Sequence, residues 1–351
     1  MSKQSPLRGT ASRKAQHVDL VQRKNVTFRS TSTGLEEWEF VHNALPELDV
    51  DDVDCSTEFL GVRLRAPLMI SCMTGGYGGA LRINRDLARV CQQAGIAMGV
   101  GSQRQALENT TYHKTFSVAR EMAPGIPIVG NIGAAEVAAM KDATDAQRLV
   151  AMIRADALAV HLNPLQELLQ PEGSPRFRGV LQGIAMLARE LPVPVIVKEI
   201  GAGLSRDVVR RLLEAGVRIV DIAGAGGTSW AGVEILRRPR SDRRETFWDW
   251  GIPTATAVRE AASLRAGAPP FTLIASGGIA SGMDVARCLA LGADLVASAR
   301  PMLNALHARG PAGLLTMITR WITDLRSVMF LTGAGTIADL RTRPLVRKAP
   351  L

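Results

Sequence analysis

The chain has 351 residues, 46% of them hydrophobic and 21% charged, with 42 Lys+Arg against 33 Asp+Glu and a formal net charge of +9. This is the composition of a globular protein rather than a disordered one, and no apolar run reaches the roughly 20 residues that span a bilayer. Four cysteines without any Cys-x-x-Cys pairing argue against a disulfide framework or a zinc site, and the polar, basic N-terminus shows no secretory h-region, so a cytoplasmic protein is expected.

Residues 1–65 read as a mixed N-terminal arm, and its cations (Lys3, Arg8, Arg13, Lys14, Arg23, Lys24, Arg29) account for much of the positive excess. A second basic group is Arg237-Arg238-Pro239-Arg240 with Arg243 and Arg244. Neither comes with a helix-turn-helix, zinc-finger or aromatic-basic pattern, so the reading is a solvated surface and a phosphorylated ligand, not nucleic acid.

From residue 66 onward, short apolar runs bounded by Gly or Pro recur eight times: Pro67–Ser71, Ile96–Val100, Pro127–Ile132, Leu158–Leu162, Pro194–Lys198, Ile219–Ile222, Phe271–Ala275 and Leu295–Ser298. Continuous rather than alternating apolar character marks buried parallel strands. Between them lie stretches of helical spacing: Leu81–Ala94, Ala146–Arg154, Val180–Leu191, Ser205–Ala215, Thr254–Leu264 and Met283–Leu291. Two of these segments close at Gly, at Gly216 and Gly292. The pattern predicts a (β/α)8 TIM barrel over residues 66–351, preceded by the arm. A doubly wound sheet is disfavoured by the strand count and by the missing Gly-x-Gly-x-x-Gly after the first strand. The charged stretch from Trp230 to Trp250, after the sixth strand, is expected as a lid.

In such a barrel the reactive groups sit at the carboxyl ends of the strands. The richest end is His161-Leu-Asn163-Pro164-Leu-Gln166-Glu167. Alternation along a strand puts His161 and Asn163 on one face, Pro164 stops the ladder, and Gln166 and Glu167 fall in the turn beyond. Buried polar groups cost a few kcal/mol when unpaired, so this cluster asks for a ligand. Gly277-Gly278 at the seventh end, with Gly226-Gly227-Thr228 as a second wall, suits a phosphate beside a short helix start. Lys198 stands in an otherwise apolar strand. It is a Schiff-base amine, the partner of a carboxylate such as Asp221, or a fixed cation facing an electron-rich ring. A neighbouring phosphate site favours the last, a flavin mononucleotide (FMN), with Asn131 and Ser102 at the ring edge unless Asn131 merely ends its strand.

Together these motifs resemble the type 2 isopentenyl diphosphate isomerases, which are flavin-dependent (β/α)8 barrels. The match runs from Arg13-Lys14-x-x-His17 through Met73-Thr74-Gly-Gly, Gly101-Ser102-Gln-Arg104, Asn131-Ile-Gly133, the His161–Glu167 run, Lys198-Glu199, Gly226–Trp230 and Trp250-Gly-Ile-Pro-Thr254 to Ser276-Gly-Gly278. The resemblance implies that Met73, Thr74, Ser102, Asn131, Lys198, Thr228, Gly277, Gly278, Ala299 and Arg300 hold FMN. It implies that Arg13, Lys14, Arg104, His161 and Asn163 hold the substrate diphosphate, with Gln166 near the reacting carbons. Gln166, His161 and Lys198 then form the catalytic set, and Glu167 ligates a Mg2+ bridging to the diphosphate. It further implies NADPH as the reductant that primes the flavin, no net redox change, and a homo-oligomer, a tetramer or octamer. The longer arm and Ala257-Val258, where a Ser-Leu pair is common, depart from the pattern.

Three other readings conflict with particular residues. A flavin-dependent hydroxy-acid oxidase needs a His base near the sixth or seventh strand end, and residues 221–230 and 274–282 contain none. An inosinate-type dehydrogenase needs a Cys in the Gly224–Trp230 loop, which has none. A non-enzymatic phosphate-binding barrel leaves the Gln166-Glu167 pair unexplained.

Overall fold

Apolar runs too short for helices and flanked by breakers pair as strands once each can bury both faces. The computed structural model describes residues 16–17, 19–21 and 23–348. The eight expected runs form β1 (Leu68–Ile70), β2 (Ala97–Gly99), β3 (Ile128–Gly133), β4 (Ala157–His161), β5 (Val195–Lys198), β6 (Ile219–Asp221), β7 (Thr272–Ala275) and β8 (Leu295–Ser298). They pair in parallel in that order, and β8 returns to β1 to close the barrel. The fold is the expected TIM barrel.

Outside the strands lie α1 (Ala80–Ala94), α2 (Lys114–Met122), α3 (Thr144–Ile153), α4 (Val180–Glu190), α5 (Arg206–Glu214), α6 (Thr254–Ala262), α7 (Gly282–Ala290) and α8 (Arg300–Thr332). Ser205 and Ser281 cap α5 and α7, each side-chain oxygen accepting from a backbone N–H of the first turn. Of these eight, α2 and α8 have no counterpart among the expected helical stretches. In α8 the reason is visible: Gly310, at φ 65°, and Pro311 break the apolar period half-way along.

Alternate strand residues face opposite ways. Leu68, Ile70, Met98, Ile128, Leu158, Val197 and Val220 pack outward against the helices, while Met69, Ala97, Val129, Ala157, Ala159, Ile196, Ile219, Ile274 and Leu295 fill the barrel. The amino end is closed by an antiparallel hairpin, Thr57–Phe59 with Val62–Leu64, whose Phe59 and Leu64 join the interior cluster. The segment Trp38–Phe40 pairs with Leu345–Arg347, tying the stretch before the barrel to the end of the described chain. Upstream, Thr27 bridges to Thr228, and Ser229 N–H donates to the Val26 carbonyl, so this segment lies at the carboxyl mouth.

The stretch expected as a lid forms a helix, Trp230–Arg237, followed by two 3-10 turns. Its Ala231, Ile235 and Trp248 pack on Leu169, and of its residues only Trp230 lines the central cavity. It is a side wall, because an apolar face docked on the β4 loop fixes it there.

Candidate active site

Strand register decides which side chains meet at the mouth. His161, Lys198 and Asp221 are partners across β4, β5 and β6, so their side chains stand abreast on the inner face. Asn131, two residues before Gly133 on β3, shares that face because Gly133 pairs with His161. The Asn131 Oδ1 lies 2.9 Å from His161 Nδ1 and orients the ring. The Lys198 ammonium is buried; it donates to the Glu199 carbonyl at 2.5 Å and pairs with Asp221 Oδ2 at 3.4 Å. Asp221 in turn accepts from Ser276 Oγ and the Ala223 N–H. The charge is thus compensated and held in place, which keeps a lysine tolerable inside a barrel. Next to it the Glu199 Oε2 accepts from the N–H groups of Ile200, Gly201 and Ala202 at 2.5–2.6 Å. Burial nevertheless pushes the Glu199 carboxyl above its usual range.

Beyond β4 the expected turn is a short helix, Pro164–Leu169, with Asn163 as N-cap residue and Pro164 in the first turn. Proline stops a strand but is pre-set for the first turn of a helix, and both happen here. Asn163 therefore leaves the strand after His161. Its Nδ2 donates to Gln166 Oε1 and Glu167 Oε1, each at 3.1 Å. Gln166 Nε2 donates to Glu234 Oε1 at 3.0 Å, and Glu167 Oε2 accepts from the Ser174 N–H at 2.8 Å. Glu234 is fully buried between His17, at 2.9 Å, and Arg237, at 2.6 Å. Burial opposes its charge, but His17 and Arg237 outweigh it and hold its carboxyl below the usual range.

A cavity of about 530 Å³ opens among these groups. Every described residue expected at the site lines it: Met73, Thr74, Ser102, Arg104, Asn131, His161, Asn163, Gln166, Glu167, Lys198, Thr228, Gly277, Gly278, Ala299 and Arg300. Arg13 and Lys14 lie outside the described residues. The glycine wall is a true close approach. A Cβ on Gly227 would lie 2.4 Å from the Gly278 nitrogen, and one on Gly277 would lie 2.0 Å from the Gly224 carbonyl oxygen. Gly277 and Gly278 also hold φ of 100° and 73°, open to glycine alone at little cost. Ala299 and Arg300 start α8 beside this wall and line the cavity, which brings the positive end of the helix dipole to it.

The sequence profile of the FMN-dependent dehydrogenase family matches residues 9–347. An isopentenyl-diphosphate delta-isomerase of Chlorobium luteolum is 50% identical over 349 residues, covering 96% of each chain. The chain belongs to the isopentenyl-diphosphate delta-isomerases, within the FMN-dependent dehydrogenase family. The isomerase of Stutzerimonas stutzeri is similar too, 46% identical with 99% of each chain covered. A structure of mandelate oxidase superposes with a TM-score of 0.66 at 17% identity, covering 97% of each chain, and shares the fold.

The glycine wall, the start of α8 and the fixed Lys198 cation fit the phosphate and ring of FMN. For Mg2+ the fit is narrower. Among the described residues no group of three or more His, Cys, Asp and Glu is placed to hold a metal ion. Glu167 alone would need substrate oxygens and water to complete six oxygen ligands. Sequence reasoning missed two groups in this isomerase: Glu136, which lines the cavity, and Glu234, which is buried behind Gln166 and accepts from its Nε2. The signal was there: each is a lone carboxylate in an apolar helical run, Trp230-Ala-Gly-Val-Glu234-Ile-Leu and Ala134-Ala-Glu136-Val-Ala-Ala.

Proposed function

We propose that this enzyme interconverts isopentenyl and dimethylallyl diphosphate by a 1,3-allylic proton shift, with reduced FMN and Mg2+ bound. The observation that carries the reading is the cavity into which the fold gathers every described residue implied by the isomerase resemblance. Met73, Thr74, Ser102, Asn131, Thr228, Gly277, Gly278, Ala299 and Arg300 hold FMN, and Lys198 places a compensated cation against its ring. When bound, reduced FMN supplies a ring nitrogen that can take and return a proton, and NADPH is the reductant that sets that state.

Around that cofactor the chain's own groups divide the work. Arg104, His161 and Asn163, with Arg13 and Lys14 of the arm, hold the diphosphate by charge-assisted hydrogen bonds. Asn131 fixes the His161 ring, and Asn163 and Glu234 fix the Gln166 carboxamide from both ends, so that it faces the allylic carbons without rotating. Glu167 would hold Mg2+ together with diphosphate oxygens and water. The walls of Trp230 and the glycine loops exclude bulk water from the reacting carbons. Residues 66–351 form the FMN-binding barrel and residues 1–65 its arm, in a cytoplasmic homo-oligomer.

The test is an anaerobic assay of reduced enzyme with isopentenyl diphosphate and Mg2+ in heavy water. Deuterium enters substrate and dimethylallyl product without matching loss of NADPH. Consumption of NADPH in step with product would make the enzyme an oxidoreductase.

A further inference from the structure

The glycine wall belongs to two loops, residues 224–228 after β6 and 276–278 after β7. Gly224, Gly226, Gly227 and Thr228 of the first line the cavity, as do all three residues of the second. Ala225 faces the other way: its N–H donates to the Ile252 carbonyl at 2.8 Å, and it bridges in parallel to Pro253. The segment leading into Thr254, the first residue of α6, therefore runs along the back of the wall. Thr254 is fully buried, on a helix whose other buried residues are Ala255, Ala257, Val258 and Ala261. A hydroxyl in such surroundings is costly unless it is hydrogen-bonded.

Thr254 uses two donors, one on each loop. Its N–H donates to the Ala225 carbonyl at 3.3 Å, and its Oγ1 lies 2.7 Å from the Gly277 carbonyl oxygen. The hydroxyl has one hydrogen; the Ala225 and Ser276 carbonyls lie farther off, at 3.2 and 3.5 Å, so Gly277 takes it. The approach is close, since a Cβ on Gly224 would lie 2.6 Å from Thr254 Oγ1. In a trans peptide the C=O and the following N–H point opposite ways. Holding the Ala225 and Gly277 carbonyls on the Thr254 side thus turns the Gly226 and Gly278 N–H groups away from it, to the side on which the cavity lies. Backbone N–H groups aimed into a concave wall are what a phosphate takes.

We infer that Thr254 is a positioning residue for the FMN phosphate: it staples the two glycine loops from behind, so that the Gly226 and Gly278 N–H groups face that phosphate. This rests on the reading that the wall holds the FMN phosphate. Riboflavin, the same ring without the phosphate, tests that reading by itself. Both flavins are titrated into the full-length chain freed of bound flavin, followed by flavin fluorescence. If the wild type binds riboflavin as tightly as FMN, the phosphate reading fails and takes this inference with it.

If the wild type prefers FMN, Thr254→Val raises the Kd for FMN by about 10-fold, the worth of one charge-assisted hydrogen bond put out of line. The Kd for riboflavin stays within about 2-fold, whereas a general loss of packing weakens both flavins alike. Thr254→Ser keeps the donor and the wild-type preference for FMN. Thr254→Cys, close to serine in size but a weak donor, lowers that preference. An unchanged preference in Thr254→Val overturns the inference, and so does equal weakening of FMN and riboflavin. Should the valine variant not fold, the serine and cysteine variants decide, and an equal preference in those two overturns it.

Discussion

At the amino end of the barrel, Phe59 and Leu64 of the hairpin close over Met69, Ala97, Ala157, Ile196 and Leu295 in one apolar cluster. At the carboxyl end of the same strands stand Asn131, His161, Lys198 and Asp221, with Ser276 just past β7. The amino end is packed by dispersion and by removal of apolar surface from water, with nothing left to bind. The carboxyl end keeps polar groups buried and pays for them with hydrogen bonds between neighbouring strands. One sheet can do both because each end is sealed from the other by the layers of small and branched side chains between them.

Three changes break or sharpen this contrast. The largest effect is expected from Lys198→Met, which removes the fixed cation while keeping the volume. The kcat should fall by about 10²–10³, the loss typical of one preorganised electrostatic group. Flavin content and kcat measured together check this, and full kcat with flavin retained would show that the cation plays no part. Asp221 keeps its Ser276 and Ala223 partners in that variant, so the barrel should still fold.

Phe59→Ala addresses the opposite end. Emptying a fully packed aromatic site costs about 3–5 kcal/mol, read as a lower calorimetric Tm. The kcat measured well below that Tm should match the wild type. A lower kcat there would mean that the plug and the mouth are coupled.

A smaller effect belongs to Glu234, at the rim of the mouth. Its folded pKa lies below the usual carboxylate range, because His17 and Arg237 outweigh burial. A depressed carboxyl stabilises the fold at pH above its unfolded pKa and loses that contribution as pH falls through the folded one. The wild-type Tm should therefore drop more steeply than that of Glu234→Gln as pH is lowered through the unfolded glutamate range, about 4.3 and below. Parallel slopes would show that the pair with His17 and Arg237 contributes nothing to stability.

The sequence carried the barrel because the signal for each strand is local: a continuous apolar run between breakers, repeated eight times. It also carried the residues expected together, most of which line the cavity, since polar residues at the ends of such runs have few other reasons to be there. Where it fell short, the missing information was non-local. Pro164 was legible as the end of a strand, but whether a turn or a helix followed depended on the docking of Ala231, Ile235 and Trp248 against Leu169. The Trp230–Trp250 stretch looked like a lid from its charge, yet its apolar face was already committed to that contact.

What the sequence determined by itself is the periodicity, and with it the eight strands, the polar ends and the glycine turns. Only the tertiary structure decided which polar groups pair: Asn131 with His161, Lys198 with Asp221, Gln166 with Glu234 and Arg104 with Glu136. Those pairs join different strands and loops, and their geometry is set by register and shear around the closed barrel, which no stretch of the chain encodes alone.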